Sequence, residues 1–149
     1  MMGTGMRLVF VETSDSTGGE LVEVRASYPP ARSHPPAHWH PGQEERFEIV
    51  SGRLLATLDG EDRTLEAGER LVVSPGVVHA MHNPGPERTE TVWQTRPALR
   101  TEELFEALSR IGPKPGLRER AKLAHEFQQE LRVPKPPRVL IRAIAALPG

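Results

Sequence analysis

From the start of the chain to about Arg96, short runs rich in β-branched side chains alternate with Gly, Pro and Asp turn signals. The runs RLVFVET, ELVEVRASY, RFEIVSG, RLLATLDG, RTLEAG, RLVVSPG and TETVWQTR each read as a strand. In LVEVRA, Val22, Val24 and Ala26 alternate with Glu23 and Arg25, the two-residue period of a half-buried strand. Asp59-Gly60, between RLLAT and RTLEA, reads as a tight hairpin turn. Many short strands with frequent turns restrict this part of the chain to a sandwich or a small barrel.

After Pro97 the pattern changes. TEELFEALSRI places Leu104, Phe105, Leu108 and Ile111 at helical spacing, with Thr101 as the expected N-cap and Gly112-Pro113 as the stop. GLRERAKLAHEFQQELR predicts a second helix with Leu117, Ala121, Ala124, Phe127 and Leu131 along one side. VPKPP then breaks the chain before a short helix in RVLIRAIAAL. The expected organisation is a β domain over 1–97 and a helical extension over 98–149 that packs on it or on a partner subunit. From Gly112 to Gly149 there are eight Lys or Arg against three Glu, which reads as a solvated basic helix face or as a surface for an acidic partner.

With 149 residues the chain can bury a core without staples, and it has no cysteine, which excludes disulfides, thiolate metal sites and a cysteine nucleophile. No apolar run approaches membrane-spanning length, and MMGTGMRLVF lacks the basic start and apolar centre of a signal peptide. A cytoplasmic protein is expected. A net charge of −1 argues against a nucleic-acid binder. No Ser-His-Asp arrangement or phosphate-cradling glycine loop is present, so hydrolase and nucleotide readings fall away.

The chemistry concentrates in HPPAHWHPGQEERFEIVSG, residues 34–52, with three histidines and three glutamates. His38 and His40 are two apart, so on an extended strand both imidazoles reach one side. Pro41-Gly42 bends the chain. Beyond the bend Glu44, Arg46 and Glu48 share one face, and Glu45, Phe47 and Ile49 share the other. A carboxylate facing a core with Phe and Ile is costly unless paired or bound to a cation, which favours Glu45 over Glu44 and Glu48 as a ligand. In SPGVVHAMHN, His79 shares parity with Val77, Met81 and Asn83, whereas His82 falls on the other side. His79 can complete a three-histidine, one-glutamate site.

These residues resemble the two motifs of the cupin superfamily. The first is Gly, five residues, His-x-His, three or four residues, Glu, six residues, Gly. His38, His40, Glu45 and Gly52 match it, with Arg32 at the leading glycine position. The second is Gly, five residues, Pro-x-Gly, two residues, His, three residues, Asn. Gly68, Gly76, His79 and Asn83 match it, with Ser74 at the usual proline. Fifteen residues separate Gly52 from Gly68, the short spacing of small single-domain cupins. The resemblance implies a mainly β fold, a small antiparallel β-barrel of jelly-roll type followed here by α-helices. It also implies one divalent transition metal ion (Fe, Mn, Ni, Cu or Zn) held by His38, His40, Glu45 and His79, with positions left for water or ligand.

Around that site, Gln43 is a candidate polar contact, and Phe47, Ile49, Met81 and Trp93 are candidates to line or floor the pocket. His34 is expected at the barrel mouth without a ligand role, His82 outward or hydrogen-bonded near the site, and His125 on the surface. Trp39 should point away from the ion. The expected partner is a small organic molecule, acted on by dioxygenase, isomerase or decarboxylase chemistry, or held by a non-catalytic binding or sensor module. Open edge strands predict a homodimer.

Overall fold

The structure, a computed structural model, describes residues 5–112 and 114–134. Eight strands are found there: β1 (Arg7–Glu12), β2 (Val22–Tyr28), β3 (Glu44–Ser51), β4 (Arg53–Leu58), β5 (Glu61–Glu66), β6 (Arg70–Val73), β7 (His79–His82) and β8 (Thr89–Arg96). A four-residue helix α1 (Ser14–Thr17) links β1 to β2, and α2 (Thr101–Arg110) and α3 (Leu117–Glu126) follow β8. Five strands form one sheet in the order β1-β2-β8-β3-β6, and three form a second in the order β5-β4-β7. All strand pairs are antiparallel. The expected barrel is thus two facing sheets of jelly-roll type, not closed by a continuous hydrogen-bonded ladder among the described residues.

Local chemistry explains the turns that matter for the site. Leu58 pairs with Glu61 across a two-residue loop. Asp59 and Gly60 both have positive φ, 48° and 84°, the hairpin turn whose twist matches the strands. Gly52 joins β3 to β4 at φ 81°. A Cβ there would lie 2.4 Å from Thr89 Oγ1, so glycine alone fits the turn.

The core has two parts. Between the sheets lie Ala26, Phe47, Ile49, Leu54, Ala56, Leu65, Leu71 and Val73. At one end, Val22 and Val24 of β2 meet Ala98, Leu104, Phe105 and Phe127. One face of β2 serves both parts, so α2 seats on the strand that also walls the sandwich. Burying Leu104 and Phe105 stabilises that seat by about 1.5–3 kcal/mol each.

The helices differ from expectation in two respects. Thr101 is the first residue of α2 rather than its cap; Arg100 holds the cap position without a side-chain cap bond. The Thr101 hydroxyl instead accepts from Gln43 at 2.9 Å, and Glu130 Oε1 accepts from the Arg100 N–H at 3.3 Å. In α3 no residue is buried, and Leu117 is 85% exposed. The apolar side that packs is Leu123, Phe127 and Leu131, while Leu117, Ala121 and Ala124 face away. The expected helix in RVLIRAIAAL lies outside the described residues. No helix of the described residues is long and apolar enough to cross a membrane.

Candidate metal centre

The two histidine motifs are stitched together by backbone. His38 and His79 exchange both hydrogen bonds of an antiparallel bridge, at 3.0 and 2.8 Å. The His40 carbonyl accepts from Gly76 N–H at 2.8 Å, which fixes the Pro75-Gly76 turn against the first motif. Asp59 pins the approach to β7: its N–H donates to the Val78 carbonyl at 2.7 Å, and its carboxylate accepts from Val78 N–H at 2.9 Å. Along β3, Glu45, Phe47 and Ile49 are buried, whereas Arg46 is exposed and Glu44 and Glu48 are half-buried. Glu44 pairs with Arg46 and Glu48 with Arg70 at the surface.

One donor atom from each of His38, His40, Glu45 and His79 lies within 4.8 Å of the others. Donors about 2 Å from a common ion are at most about 4 Å apart, so the cluster need draw in only slightly to surround one. His79 Nε2 is 2.9 Å from Glu45 Oε2, and His40 Nε2 is 3.1 Å from Glu45 Oε1. Two buried imidazole nitrogens, His38 Nδ1 and His40 Nε2, have no hydrogen-bond partner. A buried polar atom without a partner is costly, and one carboxylate cannot satisfy three imidazoles. Nitrogen-rich donors, a buried anion and orphaned lone pairs fit a divalent cation.

The outer contacts aim the rings. His79 Nδ1 is 2.9 Å from the Val77 carbonyl, and His40 Nδ1 reaches the Glu130 carbonyl. Each carbonyl only accepts, so each Nδ1 carries its hydrogen and each Nε2 is the nitrogen turned toward Glu45. Trp93 Nε1–H donates to Glu45 Oε1 at 3.1 Å. Glu130 belongs to the segment after α3, which also forms a two-bond bridge between Trp39 and Arg132, both at 2.9 Å. The Arg132 guanidinium sits 5.4 Å from the Trp39 ring, so Trp39 points to that segment and away from the cluster.

Electrostatics follow from burial and the shared carboxylate. Burial, then the neighbouring His79, lowers the His38 pKa to about 3, so His38 stays neutral. Burial works against charge on His40 too, but Glu45 and the Glu130 carbonyl outweigh it and raise His40 above the ordinary imidazole value. Burial would raise Glu45, yet His40 and His79 hold it well below the usual carboxylate range. Burial, with the Glu45 charge, raises Tyr28, which remains a neutral hydroxyl.

The cluster opens on a cavity of about 470 Å³. Gln43, Phe47, Met81 and Trp93 line it. Phe47 and Trp93 stack at 5.3 Å and 22°. Two expectations change. Ile49 lies in the core between the sheets and not on the cavity wall, because β3 runs past the cavity into the sandwich. The Gln43 amide nitrogen is turned to Pro97 O and Thr101 Oγ1, both at 2.9 Å, so it ties β3 to α2 and is not free for a ligand at the ion. Sequence reasoning missed the wall supplied by Leu104, Phe105 and Leu108 of α2. Its only signal was the apolar helix face, which looks the same when it covers core. His34 and His82 also line the cavity, bonded to one another, and His125 is exposed.

The cupin domain family matches residues 24–95. Over 80 residues the chain is 34% identical to polyketide synthase CurC of Streptomyces cyaneus, covering 54% of this chain and 44% of that protein. Over 78 residues it is 30% identical to the tetracenomycin polyketide synthase protein TcmJ of Streptomyces glaucescens, covering 52% of each. The chain thus spans about half the length of these curated relatives. Among solved structures, an RmlC-like cupin from Shewanella frigidimarina superposes with a TM-score of 0.57 at 20% identity, over 68% of this chain and 85% of that one. The two motifs and the family match together identify residues 24–95 as a cupin domain, the facing antiparallel sheets have the cupin fold, and α-helices follow it.

Proposed function

We propose that this chain is a metal-dependent enzyme acting on a small, flat, largely apolar organic molecule. His38, His40, Glu45 and His79 would hold one divalent transition ion (Fe, Mn, Ni, Cu or Zn), all of which suit three imidazoles and a carboxylate. The observation that carries the reading is the juxtaposition of that buried donor cluster with a cavity walled by Phe47, Trp93 and α2. A bound ion supplies Lewis-acid polarisation of ligand oxygens, or access to dioxygen chemistry where it is iron. The chain's own part is to place and dry the ligand. The Phe47–Trp93 stack offers a flat apolar floor, and Leu104, Phe105 and Leu108 exclude water from above it. The polyketide synthase names of the two relatives support a polyketide-type substrate. Dioxygenase, isomerase and decarboxylase types are the reactions to screen, because the fold does not choose among them.

The experiment is elemental analysis of protein purified without added metal, followed by turnover assays on small aromatic polyketides with each ion restored. One divalent transition ion per chain and metal-dependent turnover are expected. Metal-dependent binding without turnover would make the chain a binding or sensor module, and protein that takes up no ion would overturn the reading. We further propose a homodimer. Edge strand β1 exposes Val9, Phe10 and Val11, an apolar row that a second copy can cover. Light scattering should give twice the chain mass at micromolar concentration, and a monomer mass would contradict the proposal.

A further inference from the structure

One more group of titratable side chains lines the cavity, apart from the metal cluster. His34 Nδ1 and His82 Nδ1 are 2.8 Å apart, with the rings edge to face at 75°. His34 Nε2 is 2.7 Å from Thr57 Oγ1, and the Thr57 hydroxyl donates to Asp62 Oδ1 at 2.6 Å. The four groups form one chain from the surface carboxylate of Asp62 to the cavity wall at His82.

The protons in that chain can be placed. A carboxylate only accepts, so the single hydroxyl hydrogen of Thr57 goes to Asp62. Thr57 Oγ1 must then accept from His34, which puts the His34 hydrogen on Nε2 and leaves a lone pair on Nδ1. The hydrogen between the two imidazoles therefore belongs to His82 Nδ1. Neutral His82 is left with its lone pair on Nε2, for which the described residues offer no donor. Burial, then the neighbouring His34, lowers the His82 pKa against the opposing charge of Asp62, which keeps that lone pair present at neutral pH.

We propose that His82 Nε2 is a second polar site of the cavity, a proton acceptor for a ligand that carries an acidic hydroxyl of phenol or enol type. The proposal rests on the reading of the cavity as a small-molecule site but not on the metal. The apolar wall at Phe47 and Trp93 takes the flat body of such a ligand, and His82 takes its O–H. Where the hydrogen bond goes over into transfer, the O–H bond breaks, its electron pair stays on oxygen, and the proton forms the N–H bond at His82 Nε2. The imidazolium so formed keeps its Nδ1–H on His34, and Thr57 hands the stabilisation on to Asp62.

The test is nitrogen-resolved NMR of the imidazoles in the full chain stripped with chelator, with 2-naphthol as the probe. The expected tautomers are Nε2–H for His34 and Nδ1–H for His82, and 2-naphthol should move the His82 Nε2 resonance. His82→Phe should weaken 2-naphthol binding about tenfold, the scale of one lost hydrogen bond to a buried group. Thr57→Val keeps the side-chain shape, lies on a half-buried position and cuts the link to Asp62; it should mix the tautomers and weaken binding about threefold. If His82→Phe does not fold, Thr57→Val decides alone. An Nε2–H tautomer at His82, unchanged affinity in the variant that decides, or no binding of 2-naphthol would each overturn the proposal. Because the protein is metal-free, a failure of metal uptake would sink the proposed metal chemistry and leave this result standing.

Discussion

The cavity has two groups of histidines, and they are built differently. His38, His40 and His79 converge on one buried carboxylate, with two buried nitrogens left without partners. His34 and His82 bond to each other and run through Thr57 to Asp62, a carboxylate at the surface. The first arrangement concentrates lone pairs around a point and is unsatisfied without a cation. The second passes hydrogens along a line and is satisfied except at its cavity end. On the two proposals above, the same residue type would serve a metal ion in one place and a proton in the other. What sets it is the acceptor behind each ring: carbonyls at Val77 and Glu130 turn Nε2 of His79 and His40 inward.

The largest effect should come from removing a ligand ring. His79→Ala should lower metal affinity by more than about 100-fold, beyond the loss typical of outer contacts. His82→Ala should leave metal content unchanged. Metal analysis after dialysis compares the two. If His82→Ala empties the site while His79→Ala leaves it full, the comparison is wrong.

Next in size is the carboxylate. Glu45→Gln keeps the size and one oxygen but removes the charge, and metal affinity should fall about 10–100-fold. Glu44→Gln and Glu48→Gln lie on the outer face of β3 and should change it less than about twofold, because solvated charges interact weakly. Loss of the ion in Glu44→Gln instead would move the ligand assignment by one residue.

How far this is legible in the chain depends on the element. On β3 the alternation is unbroken from Gln43 to Ile49, so which glutamate faces inward is readable from parity alone. On β7 it is not: His79, Ala80, Met81 and His82 are all buried, so the strand shows no alternation and does not read as a strand from sequence. The position of His79 is readable only through the motif spacing. The His34–His82 contact joins a loop to a strand 48 residues away, and no local pattern encodes it. The carbonyl of Glu130 on His40 is backbone, which carries no residue signature. In α3 the expected apolar side is right only at its end: Phe127 and Leu131 pack, whereas Leu117, Ala121 and Ala124 keep helical spacing but are exposed.

A smaller effect concerns pH. Metal binding needs neutral imidazoles. His38, lowered to about 3, is already neutral, and Glu45 is already ionised. His40, raised by Glu45, is the ring that protons compete for. Affinity should therefore fall as pH drops through the His40 value, which lies above that of an ordinary imidazole, and flatten above it. Calorimetry in buffers of different ionisation heat should count about one proton released per ion bound near pH 6. Release of none would remove His40 from the account. The smallest effect is on the segment after α3. Arg132→Ala removes the cation over Trp39 and should cost about threefold in metal affinity by loosening the bridge beside His40.

The most direct measurement follows both histidine groups at once. Chelator-stripped protein is titrated with zinc(II), which is diamagnetic, while the imidazole nitrogens are read by NMR. The account predicts that the nitrogens of His38, His40 and His79 shift together and saturate at one ion per chain, while those of His34 and His82 stay in place. Movement of His34 and His82 with zinc, or no movement of the other three, would contradict it.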